Sequence, residues 1–430
     1  MIHKVMEARM VEHKLRRPVR NQTELNISCL DDLIPDDHRA RQVWRYVDRL
    51  DLSPLLEGAR SFIGGMGAPT TDPKIMLSLW LFAVLDGVGS ARELERLTNR
   101  DSAYRWICGG VSVNYHSLSS FRTMAGPFLD GLLTKSVAAL VSAGIAQLDC
   151  VAVDSLRVRA HAGKSSFRTK ERLLELQRLI KARVAELKAE IEADPASCTR
   201  RQQARREQAA QEREARLAAA LLAADEIEAA RAAEDAGQSR KTPKKRNKVR
   251  VSTTDPEARR MVLGNGGVAP AYSLQVKTDP KSATVIGISV SNNGSDRGQL
   301  MPALEEVAER YGTSPQQILA DAGYDGRADI EKVEALGVQT YVPLPEKVSG
   351  QEVKAKDGPG VRAWKSRMQT EGAQSVYAQR MGTELPHAQM RNHGLQQFPV
   401  RGLDKVKSIA LLFAVASNLL MHSQALIQNV

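Results

Sequence analysis

Two aspartates stand where a carboxylate is costly unless something binds it. Asp154 follows the apolar run Cys150-Val151-Ala152-Val153, and Asp321 follows Ile318-Leu319-Ala320. A carboxylate in such a strand needs a cation or several hydrogen-bond donors; otherwise it is a strand-end aspartate capping the next turn. A third acid, Glu384, lies in a stretch where Tyr377, Arg380, Glu384 and Arg391 follow one another at steps of three, four and seven. On one helix face those steps stack a phenol, two guanidiniums and a carboxylate. The stretch reads either as a solvated, salt-bridged face or as a metal-binding carboxylate among cations that grip phosphate. Pro386 argues against one unbroken helix; Thr383 as N-cap with Pro386 in the first turn would put Glu384 at a helix start. Three carboxylates from two strands and a helix select a hard cation, Mg2+ or Mn2+. Two such ions about 4 Å apart can activate a water or a 3′-hydroxyl and stabilise the leaving oxygen of a phosphodiester. No general base is then required, and the eight histidines show no paired-His or H-E-x-x-H spacing. His387, three residues after Glu384, could stand near the site but reads more readily as a surface histidine, and Glu371 competes with Glu384 as the third acid.

Charge sets the expected partner. The 430 residues carry 61 Lys and Arg against 50 Asp and Glu, a net charge of +11, which favours a polyanion, most simply nucleic acid. Aromatic residues make up only 4%, so binding should be directed at phosphates rather than built on base stacking. The four cysteines lack C-x-x-C spacing, which excludes a zinc ribbon and a disulfide framework. The N-terminus is basic without the apolar core of a signal peptide, and the apolar stretches 75–85 and 409–420 are too short to span a bilayer. A cytoplasmic protein is the expectation.

The elements that must position the acids fall into four segments. Residues 1–147 read as a helical DNA-binding domain. In it Pro73 begins a buried helix, the turn at Asp86-Gly87-Val88-Gly89 ends it, and Ser90 with Glu93 forms a capping box for the next. Helix, glycine turn and capped helix could be a helix-turn-helix presenting Arg92 and Arg96, or an ordinary helical hairpin. Residues 148–167 hold the first strand. Residues 168–250 hold an amphipathic helical or coiled-coil hairpin, broken at Asp194-Pro195, then a basic run with Lys244, Lys245 and Arg246 that reads as a linker or a phosphate contact. Residues 251–430 supply strands at 271–277, 284–290, 318–321 and 338–342 and helices at 297–311, with Ser295 or Asp296 as N-cap, and at 328–336. The sequence thus predicts an α/β ribonuclease H-like catalytic core, a three-stranded meander followed by two crossover units, with an all-α N-terminal domain and an inserted helical hairpin. Asp321 lies at a strand's carboxyl end, where open sheets bind ligands. Gly264-Asn265-Gly266-Gly267 precedes a strand rather than opening a helix, so it is a hairpin lead-in and no phosphate loop.

The spacing of Tyr377, Arg380, Glu384 and Arg391 resembles the Y-R-E-K signature of bacterial insertion-sequence DDE transposases. The chain is more narrowly similar to the group numbered eleven eighty-two, through Asp72-Pro73-Lys74, Arg105-Trp106-Ile107-Cys108-Gly109-Gly110, Thr254-Asp255-Pro256-Glu257, Ala320-Asp321-Ala322-Gly323-Tyr324 and Arg401-Gly402-Leu403-Asp404. The likeness covers nearly the whole chain from about residue 25. It implies a ribonuclease H-like core with Asp154, Asp321 and Glu384 as metal-binding carboxylates. It also implies two Mg2+ or Mn2+ ions, cleavage of double-stranded DNA at transposon ends and strand transfer of the freed 3′-hydroxyl. Tyr377 and Arg380 would then touch DNA phosphate or orient Glu384. Two departures stand out: Ser155 where the family usually has glycine, and Arg391 where it has lysine, a bidentate group for a point charge. Joining two ends needs two sites, so a homodimer on DNA is expected. The competing expectations are a catalytically inactive DNA-binding derivative and a nuclease without strand transfer.

Overall fold

The computed structural model describes residues 29–57, 70–193, 200–236, 247–345 and 352–429. Its N-terminal part holds α1 (Arg39–Asp48), α2 (Pro73–Leu85), α3 (Ala91–Arg100), α4 (Ser102–Cys108), α5 (Tyr115–Met124) and α6 (Gly126–Ser142). Asp72 starts α2, its carboxylate accepting the Lys74 N–H at 2.8 Å with Pro73 at the first position, where a missing N–H costs nothing. From Pro73 to Leu85 every residue but Lys74 is buried, as an apolar run with no polar stripe requires. α3 begins at Ser90, whose hydroxyl accepts the Glu93 N–H. The Glu93 carboxylate turns outward to Arg96 at 2.9 Å, so only half of the expected capping box forms.

The sheet follows: β1 (Cys150–Arg159), β2 (Phe167–Thr169), α7 (Lys170–Ala193), α8 (Arg200–Ala236), β3 (Arg250–Ser252), β4 (Arg259–Val262), β5 (Val268–Thr278) and β6 (Val285–Ser291). After these come α9 (Leu300–Tyr311), β7 (Gln317–Ala320), α10 (Arg327–Ala335), β8 (Gln339–Tyr341), α11 (Pro359–Met368), α12 (Glu371–Ala378), α13 (Glu384–Asn392) and α14 (Leu403–Asn429). β1, β5 and β6 form an antiparallel meander, β7 joins β1 in parallel and β8 joins β7 in parallel. The order is therefore β6-β5-β1-β7-β8, with β4 beside β6 along the outer edge of β5. A meander and two crossovers through α9 and α10 is the connectivity the sequence predicts; β2, β3 and β4 were not expected.

Three local expectations change. β1 continues through Arg159, so Asp154 sits inside the strand and not at its end. The helix expected at 297–311 begins at Leu300, because Asp329 from α10 takes the amides of Leu300 and Met301 at 2.8 and 3.2 Å. Neither Ser295 nor Asp296 caps it. The apolar stretch 409–420 lies within α14, the one helix among the described residues that is by itself long and apolar enough to cross a bilayer. Here it is a core helix: 67% of its most apolar window is buried.

One hydrophobic core runs through the N-terminal helices, α14 and the sheet, joining Leu77, Trp80 and Leu133 to Ile288, Val307 and Leu411. Asn418 of α14 seals the join, accepting the Val285 N–H and donating to the Val285 carbonyl, both at 2.8 Å. α7 and α8 instead pack on a separate small cluster that includes Leu173, Leu217 and Val251. The β2–β3 ribbon closes the base of that hairpin.

Candidate active site

Register brings the two aspartates together. Val153 pairs with Ala320 across the parallel β1–β7 ladder, so the next residues, Asp154 and Asp321, emerge side by side. Both are half-buried. Burial is the largest influence on both, and it pushes both carboxyls above the ordinary aspartate range. Negative neighbours add to it: Asp154 and then Asp296 for Asp321, and Asp296 for Asp154. A guanidinium offsets the crowding: Arg380 donates to Asp154 Oδ2 at 3.1 Å. Backbone amides supply the rest, Ser155 N–H to Asp154 Oδ1 at 2.7 Å and Gly323 N–H to Asp321 Oδ1 at 2.8 Å.

Arg380 arrives from a break in the helix rather than from a helix face. α12 ends at Ala378, a 3-10 turn spans Gln379–Thr383, and α13 opens at Glu384. Thr383 occupies the N-cap position without capping, since its hydroxyl donates backwards to the Arg380 carbonyl at 2.9 Å. Pro386 does fall in the first turn of α13. Gly382 lets the turn rest on the chain opposite, where any Cβ would strike the Pro280 carbonyl. The turn thus holds Arg380 over the Tyr377 ring, 5.8 Å from its centroid, while the guanidinium reaches Asp154.

Glu384 is brought to the same neighbourhood without joining the pair. It is exposed at the start of α13, and among the described residues no hydrogen bond or ion pair links it to Asp154 or Asp321. No three of the described His, Cys, Asp and Glu side chains converge closely enough to hold a metal ion. Glu371 opens α12 on the exposed side and has no such link to the pair either. The donor set itself suits a hard cation: two half-buried, mutually repelling carboxylates offer only oxygen.

Three neighbours were not read as site residues from the sequence. Asp296 is buried, accepting from Arg157 Nη2 and Gln275 Nε2 at 3.2 Å each. Its Oδ2 and the Oδ1 of Asp321 lie 3.5 and 2.9 Å from where a Gly323 Cβ would stand, so both carboxylates border the same small space, and a side chain at Gly323 would fill it. Tyr324 donates to Gln275 Oε1; burial, then the three acids, push its phenol far up. His387 corrects the surface reading: it is 8% exposed, with Nδ1 3.8 Å from Asp154 Oδ2 and Nε2 unpartnered. Burial, with Arg391 and Arg380, pushes its imidazole down to about 4, so it is neutral near pH 7. Asp296 had one available signal, an acid in the polar turn Ser291-Asn292-Asn293-Gly294-Ser295-Asp296, but helix capping explained it equally well.

The remaining DNA-contact candidates are spread over the neighbouring surface. Arg391, in the last turn of α13, lines a cleft of about 420 Å³ with Arg157 and Arg159. Arg92, exposed on α3, lies over the Tyr115 ring at 5.0 Å, and Arg96 is engaged by Glu93. Lys244, Lys245 and Arg246 lie outside the described residues.

Comparison with known families gives two matches. Residues 28–124 match the family described as a transposase domain (DUF772), and residues 237–419 match the transposase DDE domain. Asp321 and Glu384 fall within the second match, and Asp154 lies between the two. No curated protein and no solved structure matches the chain. The two matches support a transposase of the DDE type.

Proposed function

We propose that this chain is a DNA transposase of the DDE type that cuts at the ends of its own element and transfers the freed 3′-hydroxyl to target DNA. The observation that carries this reading is the β1–β7 register, which sets Asp154 and Asp321 side by side, both half-buried, with Arg380 on Asp154. In this reading the sheet, strand order β6-β5-β1-β7-β8, is a ribonuclease H-like core. The helices before it form a DNA-binding domain, and the α7–α8 hairpin is an insertion. The protein works in the cytoplasm, as a homodimer on double-stranded DNA.

Asp154 and Asp321 would hold Mg2+ or Mn2+, with Glu384 as the third carboxylate. Such an ion supplies charge to the phosphodiester and lowers the pKa of an attacking water or hydroxyl. Arg380 now balances part of the charge of the acid pair. A DNA phosphate offers that guanidinium a competing bidentate partner, so bound DNA would draw Arg380 off Asp154 and free the carboxylate. The 3-10 turn at Gln379–Thr383 leads directly into Glu384, which would have to move toward the pair to complete the site. Asp296, braced by Arg157 and Gln275, keeps the floor of the site fixed.

Nicking of a duplex carrying the terminal sequences that flank the gene, with Mg2+ or Mn2+, is the direct test. Asp321→Asn should lower the rate on the order of 100-fold or more while leaving binding to that duplex intact. The separation of Glu384 from the pair favours one second reading, an inactive DNA-binding derivative. Under that reading the wild-type chain binds the ends and never nicks them with either metal.

A further inference from the structure

Beyond the acid pair, the described surface carries a second concentration of charge that the proposed chemistry does not use. A cleft of about 1160 Å³ opens between the base of the α7–α8 hairpin and the β4–β6 edge of the sheet. Among the described residues its walls hold five cations, Arg231, Lys248, Arg250, Arg259 and Arg260, against one acid, Glu226. Three of the cations have local work. Arg231 donates to the Asn247 carbonyl at 2.8 Å, Lys248 pairs with Glu171 at 3.3 Å, and Arg259 donates to the Pro256 carbonyl at 2.6 Å. Arg250 and Arg260 are exposed, and among the described residues the side chain of neither has a hydrogen-bond or ion-pair partner. Uncompensated cations lining one cleft call for an anionic occupant.

The geometry points to duplex DNA, held by its phosphate backbone, as that occupant; this rests on the transposase reading above. Among the described residues no aromatic lines the cleft, so these residues offer no platform for the unstacked bases of a single strand. Asn292 and Asn293 add amides suited to phosphate or sugar oxygens.

The cleft also continues toward Arg157, which touches Asp296 beside the acids. It shares Val268 with a neighbouring cleft, which in turn shares Arg159 and Gln397 with the one lined by Arg391. Arg157 braces the junction: its guanidinium donates to the Val262 carbonyl at 2.9 Å, to the Gly294 carbonyl at 3.2 Å and to Asp296 at 3.2 Å. Val262 ends β4, Gly294 is a wall of the cleft, and Asp296 borders the acid pair. DNA cut at Asp154 and Asp321 would thus continue along β4 to the hairpin. The insertion then has a role as one wall of a track for DNA flanking the cut.

The test measures affinity against salt concentration for a 40-base-pair duplex bearing the gene-flanking ends and for a mixed-sequence duplex of equal length. Each phosphate that the protein no longer neutralises lowers the log–log salt slope by about 1. Arg250→Ala/Arg260→Ala should therefore lower it by about 2 and weaken both duplexes alike, on the order of 10-fold at 0.15 M salt. Arg250→Lys/Arg260→Lys should restore most of the slope, and matching thermal melts show that the variants are folded. A wild-type slope in the alanine variant overturns the track while end cleavage by the wild type leaves the transposase reading standing. Equal affinity of the wild-type cleft for a single-stranded oligonucleotide of the same length, abolished in the same variant, overturns the duplex assignment. A wild-type chain that neither binds nor cuts the ends overturns both readings.

Discussion

At Asp321 the environment works against ionisation. Burial, then Asp154 and Asp296, raise its pKa above 3.8, so the folded chain binds the proton more tightly than the unfolded chain. The contribution to stability is full below pH 3.8 and is lost as pH rises through the raised value; near neutrality the ionised carboxylate is a net cost. Two results follow. In the absence of divalent metal at pH 7, Asp321→Asn should melt above the wild type, the reverse of what most substitutions do. Added Mg2+ or Mn2+ should raise the wild-type Tm and barely move that of Asp321→Asn. Calorimetry checks both, and a destabilised, metal-responsive Asn variant would contradict the site. The raised pKa also predicts that nicking at a fixed, limiting metal concentration declines on acidification before ordinary aspartates titrate.

Among the elements, α9 matters most for the sheet that carries the acids. The Lys277 side chain of β5 is 1% exposed, and its ammonium pairs with Glu306 of α9. Arg310 links the same Glu306 to Asp130 of α6, and Lys407 of α14 joins Asp130 at 2.9 Å. Removing Lys277 leaves Glu306 with Arg310 as its remaining ion-pair partner. Lys277→Met should cost about 2 kcal/mol in urea unfolding, the scale of a lost charge-assisted hydrogen bond, whereas Lys277→Met with Glu306→Leu should recover part of that stability. Equal costs for the single and double variants would show that the pair is not coupled. In sequence, Lys277 reads as an ordinary polar position at the end of a strand; only the crossing of α9 over β5 makes it a buried ion.

For the whole molecule, the segmentation suggested by composition does not coincide with the packing. Residues before 147 read as a domain of their own, yet their helices share one core with the sheet, and α14, from the other end of the chain, is the part that joins them. The described N-terminal helices and the sheet should therefore unfold in a single cooperative transition, seen as coincident melting by tryptophan fluorescence (Trp80 in α2, Trp364 in α11) and far-ultraviolet circular dichroism. A separate early change in the Trp80 signal would show two independent units. The α7–α8 hairpin, with its own small cluster, is the region expected to open locally without disturbing the rest.

Hydrophobic period, turn residues and apolar runs are local properties, and they were enough for most of the architecture. They predicted α2 from Pro73, the helical hairpin, the meander with its two crossovers, and Asp154 and Asp321 as acids that apolar strands must explain. Local pattern could not determine which side chains meet. The β1–β7 register places two aspartates 167 positions apart side by side, and the same fold buries His387 and turns Asp296 from a plausible helix cap into a neighbour of both. The reason is physical: capping and surface solvation satisfy an isolated acid or histidine as well as a site does. The choice between them is made only when another element, here Asp329 on α10 or Arg380 on its 3-10 turn, takes one of the partners. Likewise the cations of Arg250 and Arg260 read as solvated charges along the chain and come to line one cleft only where the hairpin meets the sheet.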